Sequence, residues 1–427
     1  MVAAAQTHSP PGGSYAAIAD GLRPWEHLLL LLVLTIASYA LSLQPQMQSL
    51  AWYVIYLAAL GLFLLRYGAF MSALWIAAPL LLWPLLAGLS FFWSDLPGQS
   101  LRTAVQLTMT VLISLYLGAR FSLFEMTRAL FFVLTLAGLA SLAAILADSS
   151  FAFDTNGIAR GIFPHKNVLG GRMVLLLVCC LLLFAAPWRR LAVTTVAATA
   201  LLLIALSESG TAIIMALGLC GLTPVLLTRH AAAPLRLIAY LIALLAVGLL
   251  VWSFLAFDRD PVDLVLETLG KERTLTGRSL LWDFAADLIE ARPLLGGGFD
   301  AFWNGGDGSA GRYVQYVLGM EVKNFHNSYL DIAVQLGLTG LLLTAGFLLL
   351  FAWRAVALAA TDRAATAALP VLFLAFVTVY SLSEYALYRQ HDLIQVLLGA
   401  VYVSTALALT SLRQRRRQAS PASLIET

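Results

Sequence analysis

The sequence predicts an all-α, polytopic membrane protein, and its composition and patterning indicate that class. Of the 427 residues, 60% are hydrophobic and only 11% are charged, whereas soluble globular domains carry roughly 25% charged residues. Long apolar runs recur along the chain, and a membrane-spanning helix needs ~20 such residues. The runs are solid, whereas the strands of a transmembrane β-barrel alternate over ~10 residues. Composition therefore excludes a soluble enzyme, a disordered protein and a collagen-like fibre.

About twelve hydrophobic segments are expected to form spanning helices, because a lone span must satisfy its own backbone hydrogen bonds in lipid. The first segment follows Arg23 and is not followed by a small-residue cleavage site, so we interpret it as a retained helix and not a signal peptide. The segments lie near residues 27–43, 50–65, 70–93, 101–119, 126–147, 166–186, 190–206, 209–228, 235–257, 327–353, 367–387 and 392–412.

The Lys and Arg residues of the short loops predict the orientation in the membrane. They concentrate on one side and in the basic C-terminal tail, so both termini are expected in the cytoplasm. Net charge is only +3 and the basic residues are scattered, which predicts no nucleic-acid partner. Four cations lie in the opposite short loops and need another explanation: Arg102, Arg160, Lys166 and Arg389.

The predicted organisation has five parts. A cytoplasmic N-terminal tail (1–26) precedes helices 1–9 (27–257), and an outer loop (258–326) separates these from helices 10–12 (327–412) and a basic cytoplasmic tail (413–427). The loop is the one long polar stretch, and long loops are either functional or disordered. Part of it has apolar residues at helical spacing, so it is expected to fold as a small helical cap.

His326 ends this loop and opens the tenth helix. Histidine, with a reference pKa of ~6.5, is the side chain best suited to take a proton near neutral pH. The sequence therefore indicates a candidate general base. The alternative is an interfacial histidine at a helix start, a position that Asn327 or Ser328 also suits.

Arg278 lies just before the predicted helix of the cap. A guanidinium there is able to bind a phosphate or carboxylate through two parallel hydrogen bonds. The alternative is an exposed arginine paired with Asp283 or Glu272, and such exposed pairs contribute ~0–1 kcal/mol.

A third cationic group precedes and enters the sixth helix. Arg160, His165 and Lys166 come before it or open it, and Arg172 lies about two turns inside. A cation within a span is costly and indicates function, and the helix N-terminus adds partial positive charge. The pattern predicts an anion site at the outer leaflet. Snorkelling to the interface is the alternative, and it suits Lys166 better than Arg172.

A polar group marks the outer ends of the last two helices. It contains Glu384, Arg389, His391 and Asp392, which either line a cavity or pair at the surface. The hairpin at 207–211 is expected to be an ordinary polar turn between two spans.

Five motifs, taken together and in this order, resemble the bacterial O-antigen ligase and polymerase superfamily, and most closely its exopolysaccharide repeat-unit polymerases. The resemblance spans about residues 90–400. The motifs are SFFWSDLPGQSLR (90–102), GIFPHKNVLG (161–170), TLTGRSLLW (274–282), RPLLGGGFDAFW (292–303) and HNSYLDIAVQLGLTG (326–340).

The resemblance implies a membrane glycosyltransferase of the bacterial inner membrane that uses no nucleotide sugar, metal or other cofactor. Its donor is a glycan on undecaprenyl diphosphate, presented at the periplasmic face where the outer loop lies. His326 is implied as the base and Arg278 as a diphosphate ligand. Family members often carry an arginine in the hairpin that here reads Ser207–Thr211 without a cation. We expect Arg160, Lys166 or Arg172 to supply that contact.

The expected reaction transfers the glycan to a sugar hydroxyl of another lipid-linked repeat unit, with inversion at the anomeric carbon. Asn327, Trp303 and Tyr313 are expected to contact the acceptor or the glycan. The pathway implies membrane lipid as a partner and, in addition, a chain-length regulator and an export complex. An O-antigen ligase, with lipid A core or protein as acceptor, is the alternative, and a lipid-linked glycan transporter is a further one.

Overall fold

The computed structural model describes residues 13–41, 43–184, 190–241, 243, 278–319 and 321–418. These residues are almost entirely helical. The helices are α1 (Gly13–Ala37), α2 (Pro45–Leu65), α3 (Tyr67–Ile76), α4 (Ala78–Leu89), α5 (Pro97–Arg120), α6 (Leu123–Leu146), α7 (Lys166–Leu183), α8 (Arg190–Leu206), α9 (Gly210–Leu227), α10 (Arg278–Ala291), α11 (Ala310–Leu318), α12 (Ser328–Thr361), α13 (Leu369–Tyr380) and α14 (Leu393–Gln418), with a further helical stretch over 233–241.

Seven of these helices are long and apolar enough to cross a membrane: α2, α5, α6, α7, α9, α12 and α14. Three shorter apolar helical segments accompany them, at 78–92, 190–206 and 365–380. The predicted polytopic helical class is therefore confirmed. The number twelve stays a prediction, since most of the expected segment 235–257 lies outside the described residues.

Helices α7 and α14 form the centre of the bundle. Their apolar stretches are 72% and 83% buried, whereas that of α2 is 28% buried. Small residues allow α14 to approach α5 closely, because a Cβ at Gly118 would meet the Ala400 carbonyl oxygen at 2.4 Å. Close backbone approach through small residues is typical of helices packed in membranes.

A buried carboxylate joins the C-terminal ends of α2 and α5 to α1. Glu26, which has no exposed surface, accepts from Arg66 Nε (3.2 Å) and from Arg120 Nε (2.8 Å) and Nη2 (3.2 Å). Tyr116 donates its hydroxyl to the same carboxylate at 2.8 Å, and Arg23 lies 3.5 Å away. We call this group the Glu26 cluster.

Helix α12 is kinked at Gly337, where the segment 293–298 lies against it. Gly337 has φ 62° and ψ −160°, and a Cβ there would meet the backbone of Leu294 at 2.3 Å. The segment compensates the hydrogen bonds that the kink removes, because Leu338 N–H donates to the Pro293 carbonyl at 2.8 Å. Two of the predicted motifs are thus joined backbone to backbone.

A small second hydrophobic cluster forms where α10 and α11 pack beside the start of α12. Leu281 and Ala285 of α10, Val314 of α11 and Phe325 are buried in it. Trp282 Nε1 also donates to the Phe325 carbonyl at 2.9 Å. Helical content is therefore present in the second half of the predicted cap, and residues 258–277 lie outside the described part of the chain.

Candidate functional site

His326 is held in an uncommon backbone conformation immediately before α12. Its φ is +50°, a region that few non-glycine residues adopt and that recurs at functional sites. The His326 N–H donates to Asn324 Oδ1 at 2.9 Å, and the Phe325 N–H donates to the buried Asp331 carboxylate at 3.1 Å. Asn327 Oδ1 caps α12 by accepting the N–H of Tyr329 at 2.9 Å. Local hydrogen bonds on both sides thus fix the backbone from which the imidazole projects.

The His326 imidazole faces the carboxylate of Glu384. Its Nδ1 lies 3.7 Å from Glu384 Oε2, with 30% and 14% of the two side chains exposed. That nitrogen is buried and makes no hydrogen bond with any described residue. Glu384 Oε1 accepts from Asn167 Nδ2 at 2.6 Å. The Glu384 carboxylate is thus held beside the imidazole of His326, with Asn167 as its hydrogen-bond donor.

Ser328 fixes the loop 381–392 that carries Glu384. Its Oγ donates to the Glu384 carbonyl at 2.8 Å, and its N–H donates to the Ser381 carbonyl at 2.8 Å. The segment that carries the histidine is therefore hydrogen-bonded to the loop that carries its carboxylate, although the two residues are 58 positions apart in the sequence.

His165 caps the N-terminus of α7 beside this group. Its Nδ1 accepts the Asn167 N–H at 3.2 Å. Burial lowers the pKa of His165, and the nearby Glu384 opposes that shift. A neutral His165 keeps the lone pair that the cap requires, so the cap at the start of α7 stays formed at neutral pH.

Arg172 forms a buried ion pair that leaves most of its guanidinium unused. Its Nη2 lies 3.1 Å from Asp392 Oδ2, and both side chains are almost fully buried. Its Nε and Nη1 are buried without a hydrogen-bond partner among the described residues. Buried polar groups are nearly always paired, and a buried, unpaired group is costly. This arginine therefore presents two free donors that suit an anion.

Arg389 adds a second, partly buried cation from the same loop as Asp392. Its Nη1 donates to the Tyr385 carbonyl at 3.2 Å and its Nη2 to the Tyr39 hydroxyl at 3.4 Å. Attraction to Tyr39 and Asp392 raises the pKa of Arg389, so the guanidinium stays charged despite burial. Tyr380 interacts electrostatically with Arg172, Arg389 and Glu384, which links the cations to the His326 pair.

The remaining predicted ligands have different environments. Lys166 is the first residue of α7, next to His165. Arg160 donates to the carbonyls of Phe151 (3.0 Å) and Pro164 (3.3 Å) and so holds its own loop. Arg278 is the first residue of α10. Their roles as diphosphate ligands stay predictions.

The predicted glycan-contacting residues are also separated. Trp303 is half-buried and its ring centroid lies 4.8 Å from that of Phe325. Tyr313 is 61% exposed on α11 and touches only the edge of Phe284 among the described rings. Asn327 has its amide oxygen occupied by the helix cap. These three contacts with a saccharide stay predictions.

Asn167 has no role in the sequence-based interpretation, and the polar group at 384–392 has no assigned role there. The available signals were the position of Asn167 inside the GIFPHKNVLG motif and the density of charge near Asp392. In the described parts of the chain, no group of three or more His, Cys, Asp or Glu side chains is placed to hold a metal ion.

A polytopic helical membrane protein with a buried charged site at the start of α7, the start of α12 and the loop 381–392 is the class that this architecture defines. The family described as O-Antigen ligase matches residues 195–345. The Exopolysaccharide production protein ExoQ of Rhizobium meliloti (strain 1021) is 28% identical over 296 residues, which cover 65% of this chain and 63% of that protein. The chain thus aligns with less than two thirds of that relative's length. These matches confirm the resemblance to the O-antigen ligase and polymerase superfamily.

Proposed function

We propose that this protein is a membrane glycosyltransferase that polymerises exopolysaccharide repeat units. The observation that carries the proposal is His326, fixed at φ +50° with Nδ1 facing Glu384 at 3.7 Å. Asn167, which donates to Glu384, lies on the same helix as the partly unsatisfied Arg172. A base and an anion-binding cation are what transfer from a sugar diphosphate requires. The similarity to an exopolysaccharide production protein supports the substrate class.

In the proposed reaction, His326 takes the proton of an acceptor sugar hydroxyl. The oxygen attacks the anomeric carbon of the donor glycan from the face opposite the diphosphate, and the bond between that carbon and the diphosphate oxygen breaks. The products are the lengthened glycan with inverted anomeric configuration and undecaprenyl diphosphate. Glu384 stabilises the imidazolium, which then releases its proton to solvent. General-base catalysis of this kind typically contributes ~10²- to 10⁴-fold in rate.

Arg172 is proposed to bind the departing diphosphate through its unsatisfied Nε and Nη1. Donors that are already in place stabilise charge as it develops, without reorganisation in the transition state. The hairpin 207–211 packs against α7 two residues before Arg172, because a Cβ at Gly170 would meet Ser207 Oγ at 3.1 Å and Ser209 Cβ at 3.2 Å. Arg172 therefore lies close to where the family arginine is expected. Lys166, Arg278 and Arg160 are the other proposed ligands.

The proposed setting is the bacterial inner membrane with both termini in the cytoplasm. The site then faces the periplasm, the unit 258–326 forms a cap beside it, and the helices 27–257 and 327–412 accommodate the polyprenyl chains. No metal or nucleotide sugar takes part. The proposed partners are the lipid-linked oligosaccharide, membrane lipid, a chain-length regulator and an export complex.

A second candidate is an O-antigen ligase, which the description of the matching family favours. The donor and the chemistry at His326 would be the same, and the acceptor would be lipid A core or protein.

The test is glycan chain length in a deletion strain complemented with wild type, His326→Ala or His27→Ala, at matched protein levels in the membrane. His27 is an exposed histidine on α1 and serves as the matched control. We expect His326→Ala to abolish polymer and to accumulate single lipid-linked repeats, while His27→Ala makes normal polymer. Normal polymer from His326→Ala would refute the base assignment. Polymer that forms in the deletion strain but is not attached to its final acceptor would identify the ligase.

A further inference from the structure

A polar cavity lies next to the segment that carries His326 and has no role in the proposed reaction. Its volume is about 480 Å³, and it opens between the start of α5, the segment 300–305 and the residues 312–323 around the end of α11. Its lining is polar except for one indole ring and one glycine. Its lining side chains include Gln99, Arg102, Asp300, Trp303, Arg312 and Gln390.

Asp300 is fixed in the wall of this cavity. Its Oδ2 accepts from Gln99 Nε2 at 2.8 Å and from Thr103 Oγ1 at 2.9 Å, and its N–H donates to Gln335 Oε1 at 2.8 Å. Its φ is +54°. Burial raises the pKa of Asp300, although the bonds from Gln99 and Thr103 oppose the shift. An ordered carboxyl among amide side chains offers the mixed donors and acceptors that sugar hydroxyls need.

The cations of the cavity are less completely paired than its carboxylates. Lys323 pairs with Glu321 at 3.0 Å. Arg102 acts on Asp300 at longer range, and Arg312 hydrogen-bonds only the Gln315 amide oxygen, at 3.1 Å, among the described residues. Neither arginine has an ion-pair contact with a described residue. Guanidinium groups bind carboxylates through two parallel hydrogen bonds, so the cavity favours a ligand with negative charge.

The cavity adjoins the candidate base through two of its walls. The Trp303 ring packs on Phe325, the residue before His326, at 4.8 Å between centroids. Gln390 lies between Arg389 and His391 in the loop that carries Glu384. The cavity wall thus contacts the residue before His326 and includes a residue of the loop that carries Glu384, so we expect a saccharide bound there to extend toward the imidazole.

We infer that this cavity binds the acceptor saccharide and that this saccharide carries an acidic group, such as a carboxylate, recognised by Arg102 and Arg312. The inference rests on the proposed function and names its substrate class. Trp303 supplies a flat apolar face for a sugar ring, and Asp300 and Gln99 receive its hydroxyls.

Equilibrium binding to the purified, full-length protein tests the inference without requiring turnover. The probes are oligosaccharide fragments of the source cell's own polysaccharide, either native or with their carboxyl groups chemically reduced to alcohols. The variants are Arg102→Gln, Arg312→Gln and the control Arg363→Gln, an exposed arginine in the turn after α12. Because all three arginines are exposed, the substitutions leave the fold intact, and unchanged melting temperatures verify this.

We expect the native fragment to bind about tenfold more tightly than the reduced one, since a charge-assisted hydrogen bond is worth roughly this factor. Arg102→Gln and Arg312→Gln each weaken the native fragment about tenfold and leave the reduced one unchanged. Equal binding of both fragments, or a polysaccharide without acidic groups, would overturn the charge assignment. If Arg102→Gln and Arg312→Gln bind the native fragment like Arg363→Gln, or if the fragment does not bind at all, the assignment of the saccharide site to this cavity is wrong.

His326→Ala separates this inference from the proposed function. It removes the base but not the cavity, so it should bind the native fragment like wild type. If His326→Ala still polymerises, the proposed role of His326 is wrong. The binding experiment still tests the cavity, because it does not require turnover.

Discussion

Two buried arginine–carboxylate groups lie in different parts of the helix bundle, and they differ in how completely their polar atoms are paired. In the Glu26 cluster, three arginines and Tyr116 surround one carboxylate, with contacts of 2.8 to 3.5 Å. At the N-terminal ends of α7 and α14, Arg172 meets Asp392 with one nitrogen and leaves Nε and Nη1 unpaired among the described residues.

The difference separates a structural tie from a binding site. When a buried charge has a full set of partners, those partners offset its desolvation cost. The buried guanidinium of Arg172 has two nitrogens without a partner among the described residues, and an anionic ligand would supply the missing hydrogen-bond acceptors. Each place holds an almost fully buried carboxylate, and the unsatisfied donors of Arg172 carry the distinction.

The largest expected effect is a loss of stability when the Glu26 cluster loses its negative charge. Glu26→Gln removes the charge that three arginines share, so we expect about 3 kcal/mol lower stability and much less protein in the membrane. The measurement is the melting temperature of the detergent-solubilised protein. Glu125→Gln is the control, since that carboxylate is partly exposed and its one ion pair among the described residues is with Arg23, and such a pair is worth at most about 1 kcal/mol. Equal losses in the two variants would contradict the structural role of the Glu26 cluster.

Arg172→Lys tests the proposal that Arg172 binds the diphosphate. The ammonium keeps a positive charge for Asp392 but lacks the planar fork. We expect about 100-fold slower polymerisation, measured with lipid-linked repeats in proteoliposomes, and a melting temperature close to that of wild type.

The double variant Arg172→Met with Asp392→Leu sharpens this result. Replacing a buried ion pair by apolar side chains is often neutral for stability, so the protein should fold and yet make no polymer. Wild-type rates in either variant would show that Arg172 does not contact the leaving group.

The smallest expected effect is a pH dependence of stability to which His391, in the loop 381–392, contributes. Burial lowers the pKa of His391 to about 4, and its ring stacks on Trp52 at 4.4 Å between centroids. The unfolded chain, with a histidine pKa of ~6.5, binds the proton first as pH falls, so stability is present above that value and is lost toward pH 4.

Between about pH 7.5 and 5.5 this linkage costs about 1 kcal/mol. His391→Phe keeps the stacking and removes the titration, so its melting temperature should fall less on acidification than that of wild type. The Glu26 cluster contains no histidine and should not contribute. An identical pH profile for wild type and His391→Phe would show that protonation of His391 does not affect stability.

Much of the architecture was predictable from local sequence. Hydropathy predicted the apolar helices, because each span satisfies its backbone internally and needs little from its neighbours. The predicted segment 70–93 became α3 and α4 with a break at Ala77, and the segment 327–353 extended to Thr361. Hydropathy reports apolar length and is insensitive to such breaks and polar extensions.

The sequence by itself determined the helical membrane class, the motifs and the position of His326 at a helix start, since these depend on composition and nearest neighbours. Only the tertiary structure decided which charges meet. Asn167 lies 217 positions from Glu384, and Arg172 lies 220 positions from Asp392. Those contacts depend on how α7 and α14 pack against each other, and that packing depends on side-chain shape across helices, which no periodicity within one helix contains.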